Sequence, residues 1–485
     1  MKIRGLNVTQ HWIWMLPLLL VVSGLAIRQI DRFPISVDEL LSVNNAGYFQ
    51  SDSSVPAILH NLETYSAQHM PAYFLLLGAM SHILGWMPPA LRMMSVWFGL
   101  LSLAWAYRLG RDYHSGAAGL YAAMFMTGLT LFSFYYAHIR MYSMLTATAG
   151  FLIWNYLRLI QPNHPSRMIE WVLLSISTLL FLSTHIYSIT LMASIGLYHL
   201  LVVLKNRRWF QVSGAIILGG LPLIAWLPVL LKGFAHTSTF SIVINNALSP
   251  HEILFNVIIV YSNSIPPLLI AWLAVALYFS YQRQTQLRLW LGWSIVTIAI
   301  IMLIGGLSPI IPPDRMRYTF VILIPLAVAF GIMMAQFRYH ILIAGVVLGM
   351  WFGADLWMRR TYDMSQYLGG RMNIYDMPRL DETAPLIQSA TDSDTLILSF
   401  SNHRDLTLAV THGNTVQDFY YDSIHRQHYS IFLPLEILKS DADIQQGLAD
   451  ALVGWSKLAL IREDHHQPSK QILALYDTIL SETYQ

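Results

Sequence analysis

Apolar residues run along this chain in long, nearly unbroken stretches instead of alternating with polar ones. The stretches lie near 11–27, 71–86, 90–107, 116–136, 139–157, 169–184, 186–204, 211–231, 266–281, 289–307, 318–335 and 340–357. Most approach the roughly 20 residues that let a helix cross a bilayer, where a helix closes its own backbone hydrogen bonds. Lys2 and Arg4 precede the first stretch, which reads as an uncleaved anchor. Two segments break the pattern. Residues 29–70 form a polar loop with Asp31, Asp38, Glu39, Asp52 and Glu63, and beyond Arg360 no stretch could cross a membrane. In that tail Thr395 to Phe400 and Leu458 to Ile461 read as short buried strands, and 433–453 and 468–483 as helices. The pattern predicts an α-helical polytopic membrane domain over 1–358 and a small soluble α/β domain over 359–485.

Composition sharpens this picture. Hydrophobic residues make up 55% of the 485 and charged residues only 12%, against about 25% in a soluble domain. The net charge of +2 supplies no electrostatic footprint for nucleic acid. Without cysteine there is no disulfide, thiolate metal site or thiol nucleophile. Of 27 acidic residues, 17 lie from Asp363 onward, so the few in the membrane part stand out.

Asp38 and Glu39 directly follow Phe33-Pro34-Ile35-Ser36-Val37, which sets them close to the membrane surface. A carboxylate there can act as a general base, or Asp38 can cap a helix whose first-turn dipole Glu39 supports. Arg92, Arg140, Arg315 and Arg317 sit at the ends of apolar stretches, where a guanidinium either snorkels to headgroups or meets a lipid phosphate. His69 precedes Met70-Pro71, and His185 lies in the short polar break Ser183-Thr184-His185-Ile186-Tyr187. Each histidine is a ligand candidate or an ordinary hydrogen-bonding residue.

These pieces recur in a recognisable order: S-V-D-E at 36–39, Q-H-M-P-A-Y-F at 68–74, A-L-R-M-M-S at 90–95, A-H-I-R-M-Y-S-M at 137–144, T-H-I-Y-S at 184–188 and R-M-R-Y at 315–318. The series resembles the GT-C glycosyltransferases, the group that includes protein O-mannosyltransferases and aminoarabinose transferases, in its bacterial branch. The resemblance implies a GT-C fold of about eleven transmembrane helices, with interfacial helices in the first outer loop. It implies a polyprenyl-phosphate sugar donor, a lipid, glycan or protein acceptor, and an extracytoplasmic active site in a cytoplasmic membrane. The family's first-loop acid carries over onto Asp38, with Glu39 beside it. Its His-Pro-Pro-Leu-Tyr stretch matches His69, Pro71 and Tyr73 but departs at Met70 and Ala72. Its Arg-Met-Tyr motif matches Arg140, Met141 and Tyr142 without change. Arg92, His185, Arg315, Arg317 and Tyr318 complete the implied substrate-binding set. Some relatives use a divalent metal, for which Asp38, Glu39 and His69 would be the ligands. A transporter or flippase for a lipid-linked glycan is the alternative from another class, with the same arginines along a path for the phosphate.

The stretch from Pro71 to Trp86 fixes the side of every later loop. If it lies in the interface, 12 of the 21 Lys and Arg before residue 361 face the cytoplasm; if it spans, 9 do. The positive-inside rule favours the interfacial reading, with Arg111, Lys205 and Arg283 inside and the tail outside. Single cysteines placed in this cysteine-free chain test it: position 283 should resist an impermeant label on intact cells, and outside labelling there would reverse the topology.

Overall fold

A computed structural model describes residues 11–30, 37–48, 52–161, 164–237, 248–282, 285–307, 311, 313–361, 395–400, 430–431 and 457–462. They fall into two compact units, one within Met1–Arg32 and Ser54–Ile374, the other within Phe33–Ser53 and Tyr375–Gln485.

The first unit is a helical bundle. Its helices are α1 (His11–Ile30), α3 (Val55–Tyr65), α4 (Ala72–Leu84), α5 (Pro88–Tyr113), α6 (Gly116–Thr127), α7 (Thr130–Tyr135), α8 (Tyr142–Leu159), α9 (Met168–Leu182), α10 (Ser188–Leu201) and α11 (Arg207–Thr237). They continue with α12 (Pro250–Tyr261), α13 (Pro266–Tyr281), α14 (Thr285–Leu307), a 3-10 helix (Pro313–Ile322), α15 (Leu323–Met334) and α16 (His340–Thr361). Every residue of α15 is buried, which makes it the central helix. Small residues let the backbones close around it, as expected where lipid removes the hydrophobic drive between helices. A Cβ on Gly110 of α5 would lie 2.7 Å from the Cα of Gly119 in α6, and one on Gly331 of α15 would meet the Ala118 carbonyl.

Among the described residues, four helices are long and apolar enough to cross a membrane, Pro88–Tyr113, Arg207–Gly233, Gln286–Leu307 and Arg315–Met334. The pair α12 and α13 makes a fifth, bent by 97°, and six more apolar helices are shorter. Apart from α3, which lies in the first loop where interfacial helices were expected, apolar stretches and the described helices of this unit coincide except at three places. The stretch 116–136 divides into α6 and α7, because the buried Asn263 amide donates to Gly128 O at 2.7 Å and accepts from Thr130 N–H at 3.0 Å. Those bonds replace the helical ones lost at the break. Asn263 also donates to Trp351 O at 3.0 Å and holds a φ of 49°, a left-handed conformation asparagine tolerates better than most residues. Second, the stretch 318–335 opens as a ten-residue 3-10 helix, far beyond the usual three or four. Third, α12 follows no apolar stretch marked in the sequence. Its signal was the capping box Ser249–Glu252, where the Glu252 carboxylate accepts from Ser249 N–H at 2.8 Å.

The bundle has two chemically distinct ends. At one, Arg108 and Arg111 pair with Asp112 at 2.6 and 2.9 Å, and Arg158 and His164 meet Glu170 at 2.7 and 2.9 Å. Helix α8 starts at Tyr142 and carries Arg158 in its last turn. At 1.5 Å per residue Tyr142 stands about 24 Å from Arg158 at that ionic end, most of the hydrocarbon thickness of a bilayer.

The second unit contains α2 (Val37–Asn45) and a three-stranded parallel sheet of β1 (Thr395–Phe400), β2 (Ser430–Ile431) and β3 (Lys457–Arg462) in the order β2-β1-β3. Ile397 sits opposite Ser430 on one side and Ala459 on the other. Both strands expected in the tail are present. The expected helices at 433–453 and 468–483 lie outside the described residues.

Candidate functional site

At the end of the bundle opposite the ion pairs, three irregular segments meet: the bend 136–141 between α7 and α8, the turn 183–187 between α9 and α10, and the 3-10 helix. Each lies at the boundary of an apolar stretch, and together they carry most of the side chains singled out in the sequence.

The bend presents Arg140, which is 3% exposed, with its guanidinium carbon 5.9 Å from the centre of the Tyr142 ring. Its carbonyl accepts from Ser95 Oγ at 3.5 Å, and Ser95 in turn meets the Tyr73 hydroxyl at 3.4 Å. Tyr73 thus braces the arginine segment from α4. The bend is fixed from behind by His138, which bonds the Phe134 carbonyl at 2.7 Å and stacks on the Phe134 ring at 3.9 Å.

A 3-10 helix has three residues per turn, so residues three apart line up along one edge. Arg315 and Tyr318 share one edge, and Arg317 and Phe320 another. Tyr318 lies 4.9 Å from Tyr187 and 5.1 Å from His185, and Phe320 lies 5.3 Å from Tyr142, all between ring centres. Arg317 donates to the Tyr135 hydroxyl at 3.5 Å. The segment is tied to α12 by Tyr261, whose hydroxyl donates to Thr319 O at 2.7 Å.

His185 is the residue on which the segments converge. Its ring is 4% exposed and 5.8 Å from Tyr142, and its Nδ1 accepts from Tyr187 N–H at 3.1 Å. Burial, reinforced by the nearby Arg140 and Arg317 guanidiniums, pushes its pKa down from 6.5 to about 3. The imidazole is therefore neutral at any physiological pH. Tyr187 is buried as well, and its hydroxyl has no hydrogen-bond partner among the described residues. Burial raises the pKa of that hydroxyl, and Arg315 partly opposes the rise.

The structure thus brings Arg140, Tyr142, His185, Arg315, Arg317 and Tyr318 together, with Tyr73 one hydrogen bond removed. His69 stands beside them through its chain neighbours: Ala72 N–H donates to Ser183 O at 2.9 Å, which joins the start of α4 to the His185 turn. Trp226 of α11 donates to His69 O at 3.1 Å. Gly233 follows two turns later, where a Cβ would come within 2.6 Å of the Ala67 and Gln68 backbone. Arg92 has a different local task, donating to Ile30 O at 2.7 Å and so satisfying the C-terminal end of α1. Asp38 and Glu39 occupy the first turn of α2 in the second unit, Asp38 half-buried and Glu39 buried. Among the described residues no three His, Asp or Glu side chains group closely enough to hold a metal ion, so no reaction step is assigned to one.

Sequence reading passed over Tyr135, Tyr187 and Phe320. Tyr187 lay inside the T-H-I-Y-S motif, and its signal was an aromatic hydroxyl at a polar break between apolar stretches. Tyr135 and Phe320 carried no such mark, since aromatic residues are common throughout the chain.

The depressed His185 pKa has a consequence for stability. Below about pH 6.5 the unfolded chain binds a proton that the folded chain refuses until about pH 3, so this contribution is complete above 6.5 and is lost as pH falls. Between pH 6.5 and 5, thermal unfolding in detergent should show His185→Gln losing less stability than wild type, by up to about 1.4 kcal/mol per pH unit. Parallel curves for the two proteins would show that His185 does not titrate in this way.

No family model and no curated protein matches the sequence. Solved structures do match. ArnT from Cupriavidus metallidurans in the apo state is similar over 98% of this chain and 95% of its own, with 13% identity and a TM-score of 0.58. The same protein bound to undecaprenyl phosphate covers 97% and 95%, with 14% identity and a TM-score of 0.58. An Archaeoglobus fulgidus oligosaccharyltransferase covers 86% of this chain and 62% of its own, with 10% identity and a TM-score of 0.43. Likeness at this identity speaks for architecture, and over nearly the whole of both chains it is the architecture that the ordered motifs implied: the chain has the GT-C fold.

Proposed function

We propose that this protein is a membrane glycosyltransferase that moves a sugar from a polyprenyl-phosphate donor to an extracytoplasmic acceptor with inversion at the anomeric carbon. The observation that carries the reading is the convergence of Arg140 and Arg317 on His185, among closely packed tyrosines at one end of an apolar bundle. Cations at that depth suit a ligand with a lipid tail and an anionic head, and ArnT, which shares the fold, binds undecaprenyl phosphate.

In the proposed reaction Asp38 takes the proton from the acceptor hydroxyl as that oxygen attacks the anomeric carbon. The new carbon–oxygen bond forms as the bond to the phosphate oxygen breaks, and polyprenyl phosphate departs with the electron pair. Phosphate is a competent leaving group, so the main electrostatic task is to stabilise its growing charge, which falls to Arg140, Arg315 and Arg317. Glu39 orients the acceptor. The acceptor is a lipid, a glycan or a protein segment, and the setting is a bacterial-type cytoplasmic membrane with the site on its outer side.

The transporter alternative has one feature in its favour, the 97° break between α12 and α13, since interrupted helices line transport sites. However, the break's buried amide, Asn263, is already committed to Gly128, Thr130 and Trp351. That supports a structural break over an ion-binding one.

Turnover of a polyprenyl-phosphate sugar, read as released lipid phosphate, tests the enzyme reading. Asp38→Asn keeps the shape at the second residue of α2 and gives up only a first-turn charge, so it should retain donor binding and most of the stability while turnover falls about a hundredfold or more. Near-normal turnover in a stable Asp38→Asn protein would move the base to Glu39.

Donor affinity probes the cations separately. Arg140→Ala should weaken binding, and Arg140→Lys should restore only part of it, because lysine lacks the planar fork that meets two oxygens at once. Unchanged affinity in Arg140→Ala would remove Arg140 from the phosphate site.

A further inference from the structure

The turn 183–187 contributes something that the arginines cannot. Nδ1 of His185 accepts from the Tyr187 backbone N–H at 3.1 Å, so Nδ1 carries no proton. A neutral imidazole has one N–H, and with Nδ1 occupied as an acceptor that hydrogen must sit on Nε2. The backbone therefore selects the tautomer. Among the described residues the His185 ring makes no other hydrogen bond.

Close by stands a second polar group without a partner. The Tyr187 ring centre lies 5.9 Å from that of His185, and its buried hydroxyl is unbonded among the described residues. A buried hydroxyl left unpaired is destabilising, and a ligand oxygen held beside His185 would satisfy it. The charged and titratable groups facing His185 are Arg140 from the bend, Tyr142 from α8, and Arg317 and Tyr318 from the 3-10 helix, with Tyr187 on its own turn. Arg315 acts on Tyr187.

We propose that His185 is an uncharged Nε2–H donor, locked in that tautomer by the Tyr187 backbone, which holds an oxygen acceptor of the bound donor lipid. The acceptor is a phosphate oxygen or a sugar hydroxyl, and the proposal rests on the glycosyltransferase reading. Because the main chain holds Nδ1 as an acceptor, the ring bonds the lipid with a single proton, in its uncharged form.

The test measures affinity of the full-length protein in nanodiscs for undecaprenyl phosphate and for an undecaprenyl-phosphate hexose. His185→Phe keeps a flat ring but removes the donor, and should weaken binding about tenfold, the loss of one hydrogen bond to a charged or polar oxygen. His185→Gln keeps an uncharged N–H and should stay within about threefold of wild type. Equal losses for both lipids in His185→Phe assign the bond to phosphate, and a loss confined to the hexose lipid assigns it to the sugar. Wild-type affinity for the hexose lipid should be flat from pH 5 to 8.

Wild-type affinity in His185→Phe would overturn the proposal. So would a pH dependence with a midpoint near 6.5 that His185→Gln abolishes, since the binding form would then be imidazolium. If His185→Phe does not fold, His185→Gln and the pH profile decide alone. Wild-type protein that binds neither lipid overturns the glycosyltransferase reading itself and this proposal with it, whereas binding that ignores His185 overturns the proposal only.

Discussion

A backbone group released by a helix break inside an apolar bundle has no water to turn to, so every break must come with its own replacement partner. The corner between α12 and α13 supplies two of them. From Asn263 a side-chain amide fills the gap between α6 and α7, and from Tyr261 a hydroxyl reaches Thr319 in the middle of the 3-10 helix. The first bond sets where α7 begins, and hence where the bend 136–141 delivers Arg140. The second sets the height of Arg315 and Arg317. Two residues on one corner thus position cations from chain segments some 175 residues apart, and rigid placement of that kind lets electrostatic stabilisation act without reorganisation.

The same constraint explains why the arginine segments are irregular. A guanidinium at the rim of a bundle must be turned inward, away from lipid, and a continuous α-helix repeats its inward face only every three or four residues. The 3-10 winding sets Arg315 and Tyr318 on one edge and Arg317 and Phe320 on another, so neighbouring residues serve His185, Tyr187 and Tyr142 together. An α-helical turn would spread those side chains over a wider arc.

Much of this was legible in the sequence, and the boundary has physical causes. Apolar stretches mark helices because lipid-facing and core-facing residues are both apolar, which is why α4, α5, α8 and α16 appear almost where hydropathy put them. The same property hides breaks: the stretch 116–136 is apolar on both sides of Gly128, and its interruption is caused by Asn263, over a hundred residues away. The candidate cations Arg140, Arg315 and Arg317 stood out because charge is scarce there. Tyr135 and Phe320 did not, because aromatic side chains serve packing all along the chain. The tail strands were readable from short β-branched and aliphatic runs, yet which of them pair, and that they run parallel, depends on contacts no local pattern contains.

Electrostatics joins the corner to the chemistry. Two guanidiniums near one imidazole would make protonation of that ring expensive in a low-dielectric site, and burial adds to the cost, so His185 stays neutral. A neutral ring is also the less disruptive neighbour, since an imidazolium there would repel the arginines the corner holds in place. The Tyr187 backbone N–H, by occupying Nδ1, converts that neutrality into direction. Charge comes from the bend and the 3-10 helix, orientation from the turn. An anionic head group entering among them would meet cations already in place and one hydrogen-bond donor whose proton position is fixed by the main chain.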